Sequence, residues 1–228
     1  MCARLLSAAV FAVVLGGGAA QAATLRLESF TVPAQVNTTI LATPAGSTGR
    51  TFATGFNMTD GVYSFVAWCL DLAHSISKGG PYQYEDTSTP FSNSFLASGA
   101  AARVQSVFDA NYGTLNVHNT VDAAAFQLSL WEVAYDDNFS LGSGTFRGAG
   151  YGATAAAITN MASTFLGRAQ AYAGGQRYDV SFLESQDSTQ RQNLVTAVPA
   201  PVPLPAGLPL LAAGIAAVIG LRFRHGTA

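Results

Sequence analysis

The chain has 228 residues, 49% hydrophobic and only 11% charged, with a formal net charge of −2. An average soluble protein carries about 25% charged residues, so neither long charged helices nor an intrinsically disordered chain fits this composition. A nucleic-acid partner would require a basic stripe to displace phosphate counterions, and the sequence contains none.

Residues 1–22 read as a secretory signal peptide. Arg4 precedes an apolar run from Leu5 to Leu15, and Ala20-Gln21-Ala22 has the small-x-small pattern accepted by signal peptidase. Cleavage before Ala23 would remove Cys2 with the signal. Residues 23–198 then form one exported domain of 176 residues, enough to bury about 70% of its unfolded surface in a single core. This stretch holds eight Arg or Lys and thirteen Asp or Glu, for a net charge of −5, and Lys78 is its single lysine.

Its first third reads as β. Leu25, Leu27 and Phe30 open it, Thr51 to Met58 alternates loosely, and Val62 to Leu72 is rich in β-branched and aromatic residues. Ser77 to Pro81 is expected to close that strand, and Tyr82 to Asn93 to form a polar loop. Helical spacing follows in Ala100 to Asn111, Thr120 to Tyr135 and Ala153 to Ala173, with a glycine-rich loop from Gly142 to Gly152. Tyr178, Val180 and Phe182 share one face of a returning strand, and Leu194-Val195-Thr196 suggests a last one before a Pro-rich linker at Pro199 to Pro205. This order suggests an α+β domain: a β-sandwich or barrel with a helical insertion between early and late strands.

Once the signal is removed Cys69 is the only cysteine, so it is free, paired between chains or used chemically. Burial as a small hydrophobe is the plain alternative. In the helix Thr120 to Tyr135, Gln127 falls at the centre of an apolar arc of Ala123, Ala124, Leu130, Trp131, Ala134 and Tyr135, with Asp122, Glu132 and Asp136 on the opposite side. A carboxamide aimed into a core costs roughly 1–3 kcal/mol if its hydrogen bonds are unmade. Gln127 therefore requires a specific partner, and Cys69 is one candidate.

The segments Trp68-Cys69-Leu70-Asp71 and Gln127 to Trp131 together resemble the thioester domains of bacterial surface adhesins. There an aromatic-Cys-x-Asp strand faces a Gln-x-Ala-Ile-Trp helix. Trp68, Cys69 and Asp71 match on one side, and Gln127, Leu130 and Trp131 on the other. Phe126 stands where the family usually has threonine, Ser129 replaces alanine, and only 58 residues separate the cysteine from the glutamine. The resemblance implies that Cys69 and Gln127 condense to an internal thioester, a stored acyl electrophile open to a single attack by an amine. Trp131 would pack the core or shield that bond. Asp71, on the same side as Cys69 by strand alternation, would orient the reacting groups or cap a neighbouring backbone.

Other constellations are weaker. Asp71 and His74 could share a metal only if their segment turned helical, and both read as surface residues. Glu85-Asp86 and Asp136-Asp137 lack the alternating ligand spacing of a calcium loop and suit solvated turns. Cys69 with His118 or His74 would give a cysteine hydrolase, but no orienting third residue is legible. Gly148, Gly150 and Gly152 lack the lysine of a phosphate loop.

Residues 199–228 read as linker and sorting tail. Leu204 to Leu221 has no charged residue, and at ~1.5 Å per helical residue it reaches roughly 27 Å against a bilayer core of about 30 Å. Arg222 and Arg224 then form a stop-transfer cluster that stays cytoplasmic and leaves the domain across the membrane. Val202-Pro203-Leu204-Pro205-Ala206, the apolar stretch and the basic tail together resemble the VPLPA variant of the PEP-CTERM sorting signal; a plain membrane anchor is the alternative. The resemblance implies recognition by an exosortase-type transpeptidase after export, with passage through the inner membrane to the cell surface or extracellular matrix of a Gram-negative bacterium. The sequence reading is thus a sorted surface protein with no cofactor or metal and no turnover chemistry, whose ligand would be an amine on a surface or matrix. Its rivals are a non-covalent structural or glycan-binding matrix protein with a buried Cys69, and a hydrolase of matrix polymers.

Overall fold

The computed structural model describes residues 22–46, 48–87 and 90–201. The signal sequence up to residue 21, the motif Val202 to Ala206 and the stop-transfer residues Arg222 and Arg224 lie outside the described residues. Among those described, no helix is long and apolar enough to cross a membrane.

The fold is mixed α+β, as the element order suggests. Six antiparallel strands close a barrel: β1 (Ala22–Phe30), β4 (Gly55–Thr59), β5 (Ser64–Cys69), β9 (Leu194–Pro199), β8 (Tyr178–Ser185) and β6 (Gly79–Thr87), in that order around it. A second antiparallel sheet orders β3 (Gly49–Thr51), β2 (Thr38–Ala42) and β7 (Arg147–Gly150). Helices α1 (Ala100–Asn111), α2 (Thr120–Tyr135) and α3 (Ala155–Gln170) sit between β6 and β8 in the chain.

Three β expectations are corrected. The run Val62 to Leu72 is not one strand. Its start is a hairpin turn in which Asp60 Oδ1 accepts the N–H groups of Val62 and Tyr63 at 2.8 and 2.7 Å, and β5 ends at Cys69. From Gly79 to Thr87 the supposed closure and polar loop are instead β6, which holds Glu85 and Asp86 in a strand and pairs with β1 on one edge and β8 on the other, whereas residues 90–93 lie outside any strand, as expected of a loop. Tyr82 and Tyr84 turn inward from it while Gln83 and Glu85 alternate with them on the other face. The glycine-rich loop contains β7, which pairs with β2 from Thr38↔Gly150 to Ala42↔Arg147 and packs against α2 and α3. A Cβ on Gly150 would stand 2.3 Å from the carbonyl oxygen of Ala155, so only glycine fits there. At its far end β9 continues through Pro199, opposite Tyr178, one residue into the expected linker.

Helix α2 is the centre of the molecule. Asn119 caps it, its Oδ1 accepting from the N–H groups of Val121 and Asp122 at 2.9 and 3.1 Å. Every residue from Ala123 to Tyr135 is buried, because α1, α3, β5 and β7 surround the helix. Glu132 was expected on a polar face and is instead fully buried. Its Oε1 accepts the Ser140 N–H at 2.9 Å, and its Oε2 has no partner among the described residues. Burial above all, with Asp136 nearby, pushes the Glu132 carboxyl up to about 8. The folded chain therefore holds a proton that the unfolded chain releases near 4.5, so stability falls as pH rises from that value through about 8. Glu132→Gln should flatten this decline and raise the melting temperature at pH 9 by roughly 2–4 °C, the shift of a ~1 kcal/mol gain in a domain of this size. Thermal melts of both proteins at pH 5 and pH 9 would show it, and parallel curves would refute it.

Candidate functional site

The site forms where β5 loses its strand partner on one edge, while β9 still pairs with Cys69 through Leu194 on the other. On one side β4 begins at Gly55, opposite Trp68, and offers nothing to Cys69. The carboxamide of Gln127, projecting from α2, takes the place of the missing strand. Its Oε1 accepts the Cys69 N–H at 2.9 Å and its Nε2 donates to the Cys69 carbonyl at 2.6 Å. Both residues are almost wholly excluded from solvent, so each of these groups would be costly to leave unpaired. The partner required by the polar residue on an apolar arc is therefore the backbone of Cys69.

Around the sulfur the contacts are few and directed. The thiol donates to the Asp71 carbonyl at 3.2 Å and accepts the Trp131 indole N–H at 3.4 Å. Burial raises the thiol far above its usual range; the Trp131 hydrogen bond opposes that rise and the nearby Asp71 charge adds to it. Trp131, read as core packing or a shield, thus has a polar contact with the sulfur as well. Trp68 is fully buried with its ring edge-on to Phe126, centroids 4.8 Å apart, and Leu130 is fully buried in the common core.

Asp71 lies beyond the end of β5, so strand alternation does not set its direction. It is 1% exposed, not a surface residue. Its Oδ1 accepts the Ala73 N–H at 2.8 Å and its Oδ2 lies 2.7 Å from His74 Nδ1. The same turn is held from α2 by Tyr135, whose hydroxyl donates to the Leu70 carbonyl at 2.7 Å and accepts the Leu72 N–H at 2.9 Å. Gln192 adds a bond from its side chain to the Asp71 carbonyl at 3.1 Å. Tyr135 belongs to the arc around Gln127, with Gln127, Trp131 and Tyr135 recurring every fourth residue along one helix face, but its hold on the turn after β5 is not legible in the sequence. Gln192 carries no comparable signal.

A cavity of about 260 Å³ reaches this cluster. Phe30, Phe52, Phe56 and Trp131 supply apolar wall, and Cys69, His74, Gln127 and Gln192 supply the polar part. His118 does not join them: its Nδ1 bonds the Thr31 carbonyl at 3.1 Å. No group of three or more His, Cys, Asp or Glu among the described residues could hold a metal ion. Asp136, expected in a solvated turn, is buried and anchors the loop after α2; burial acts against its charge, but the N–H groups of Phe146, Asp137 and Thr145 outweigh it and hold its carboxyl below the usual range.

The chain matches no protein-family model and no curated protein. Among solved structures, it is similar to the N-terminal domain of the Streptococcus pyogenes pilus tip adhesin Cpa, with a TM-score of 0.43 and 12% identity over 77% of this chain and 99% of that one. It is also similar to the N-terminal thioester domain of the fibronectin-binding protein SfbI from Streptococcus pyogenes, with a TM-score of 0.41 and 12% identity over 77% of this chain and 98% of that one.

Proposed function

We infer that this is an exported surface protein whose Cys69 and Gln127 condense into an internal thioester that captures an amine-bearing ligand once. In forming it, the Cys69 Sγ bonds to the Gln127 Cδ, the Cδ–Nε2 bond breaks, and the thiol proton leaves with that nitrogen as ammonia. Attack by an amine would then give an amide at residue 127 and a free Cys69 thiol. Nothing in that sequence regenerates the thioester, so the protein is a capture device and not a turnover enzyme. Its VPLPA tail supports sorting by an exosortase-type transpeptidase to the cell surface or matrix, where a ligand amine would be met.

The observation that carries the reading is the two-point hydrogen bonding of the Gln127 carboxamide to Cys69, at 2.9 and 2.6 Å, beside a cavity both residues line. The same two bonds also support a second reading, in which Gln127 is only a substitute strand and the domain a non-covalent matrix component. Intact mass separates them. On the thioester reading, purified residues 23–201 weigh one ammonia less than the sequence, gain one methylamine on incubation, and do neither as Cys69→Ala or Gln127→Ala. An unmodified mass, with a thiol that alkylates only on unfolding, would leave the non-covalent reading.

A further inference from the structure

Cleaving a thioester with an amine moves a proton as well as a bond. The attacking nitrogen must lose a proton, and the departing sulfur must gain one because its burial makes a thiolate costly. A positioned base that serves both ends is the economical solution, and the cavity contains a side chain arranged for it.

His74 lines the cavity together with Cys69 and Gln127. Its Nδ1 lies 2.7 Å from Oδ2 of the buried Asp71, whose other oxygen is fixed by the Ala73 N–H at 2.8 Å. A carboxylate on Nδ1 selects the tautomer with its proton there, leaving Nε2 with a free lone pair. That nitrogen has no hydrogen-bond partner among the described residues, and the side chain is 32% exposed, against 1% for its carboxylate. The imidazole thus remains within reach of an entering ligand while its orientation is set from below. His74 and Cys69 are the titratable side chains on the cavity wall. Asp71 faces the imidazole from its own turn, and Tyr135 from α2 holds that turn through Leu70 and Leu72.

We propose that His74, oriented by Asp71, takes the proton from an amine attacking the Cys69–Gln127 thioester and delivers it to the Cys69 sulfur. The amine nitrogen bonds to the Gln127 Cδ, the Cδ–Sγ bond breaks with its electron pair going to sulfur, and the proton passes from nitrogen through His74 Nε2 to Sγ. No electrons are exchanged with any other group. This assignment rests on the thioester reading above. It also places Asp71 as the positioning residue, acting through His74.

The test follows methylamine addition by intact mass in the mature chain, its His74→Gln variant and its Asp71→Asn variant, with each rate expressed per molecule that carries the thioester. His74→Gln should react about 10²-fold more slowly, the usual lower range for a lost general base, and its rate should rise with phosphate buffer concentration while the parent's does not. Asp71→Asn should fall between them, without that buffer response, since its imidazole remains. A His74→Gln rate equal to the parent's, or a loss that phosphate does not relieve, overturns the relay and leaves the thioester standing. A parent chain with no ammonia deficit overturns both readings at once.

Discussion

In a Cys69→Ala parent, which keeps the Gln127 carboxamide because no thioester can form, Gln127→Glu should lose about 3 kcal/mol of unfolding free energy at neutral pH and regain much of it on acidification. The parent carboxamide is matched to its surroundings at both ends, accepting one backbone hydrogen bond and donating the other to Cys69. A carboxylate keeps the acceptor but turns a second oxygen toward the Cys69 carbonyl, in a position with no measurable solvent exposure. One lost donor with an orphaned carbonyl costs roughly 1–3 kcal/mol, and the buried charge adds to it. Protonation restores an O–H that can donate, so the folded state binds its proton more tightly than the unfolded chain, whose glutamate titrates near ~4.3. Stability relative to the parent therefore falls as pH rises above that value. Urea titrations at pH 4 and pH 8 check this, and a difference between the two proteins that does not change with pH would refute it.

The same substitution is what hydrolysis of a Cys69–Gln127 thioester would leave behind. Water attacking the Gln127 Cδ yields a carboxylate there, with every unfavourable contact just described. Capture of a primary amine yields a secondary amide, which retains one N–H for the Cys69 carbonyl. On the proposed chemistry, productive capture preserves the clamp on β5 and hydrolysis weakens it. The two outcomes are then distinguishable by stability as well as by mass.

The candidate site was legible in sequence to the degree that its residues obey a local period. Gln127 stood out because a polar group at the centre of an apolar helical arc has to be answered by something, and the Trp68-Cys69 strand was a nearby apolar run with a polar atom to offer. The helix itself, Thr120 to Tyr135, emerged with its limits intact, since its alanines and leucines recur at helical spacing over that whole stretch. What periodicity could not show was its surroundings. A helix packed on all sides makes the polar arc meaningless, so Glu132 is buried against expectation. The strand β6 was missed because Gly, Pro and Thr at its ends outweighed the inward alternation of Tyr82 and Tyr84. Likewise β7 is built of glycines whose reason is the close approach of Ala155, a contact made across the fold. The dyad of Asp71 and His74 was hidden by assuming that the strand continued beyond Cys69; a turn there brings residues three apart together.

Asp136→Ala should destabilise the domain by about 3 kcal/mol, whereas Asp137→Ala, at the exposed adjacent position, should stay within roughly 0.5 kcal/mol. Asp136 Oδ1 accepts the Asp137 N–H at 2.7 Å, and Oδ2 accepts the N–H groups of Thr145 and Phe146 at 2.5 and 3.1 Å and the Thr145 hydroxyl at 3.2 Å. Removing the carboxylate strands these donors where the chain re-enters the core, at a cost of ~1–3 kcal/mol for each that finds no water. Because the folded carboxyl titrates below its ordinary value, its contribution is present above the unfolded pKa and lost as pH falls through the folded one. The parent should lose stability on this acid limb, and Asp136→Ala should lose less. The effect also reaches the site. Asp136 follows Tyr135 directly, and the Thr145 hydroxyl shares its one proton between Asp136 Oδ2 and the Tyr135 carbonyl, 3.1 Å away, so this loop fixes the helix end that carries the Tyr135 hydroxyl onto Leu70 and Leu72. Hydrogen exchange at the Leu72 amide should accelerate in Asp136→Ala by more than the global loss of stability accounts for. Exchange that tracks global stability alone would mean that the loop anchors α2 without tightening the turn behind Cys69.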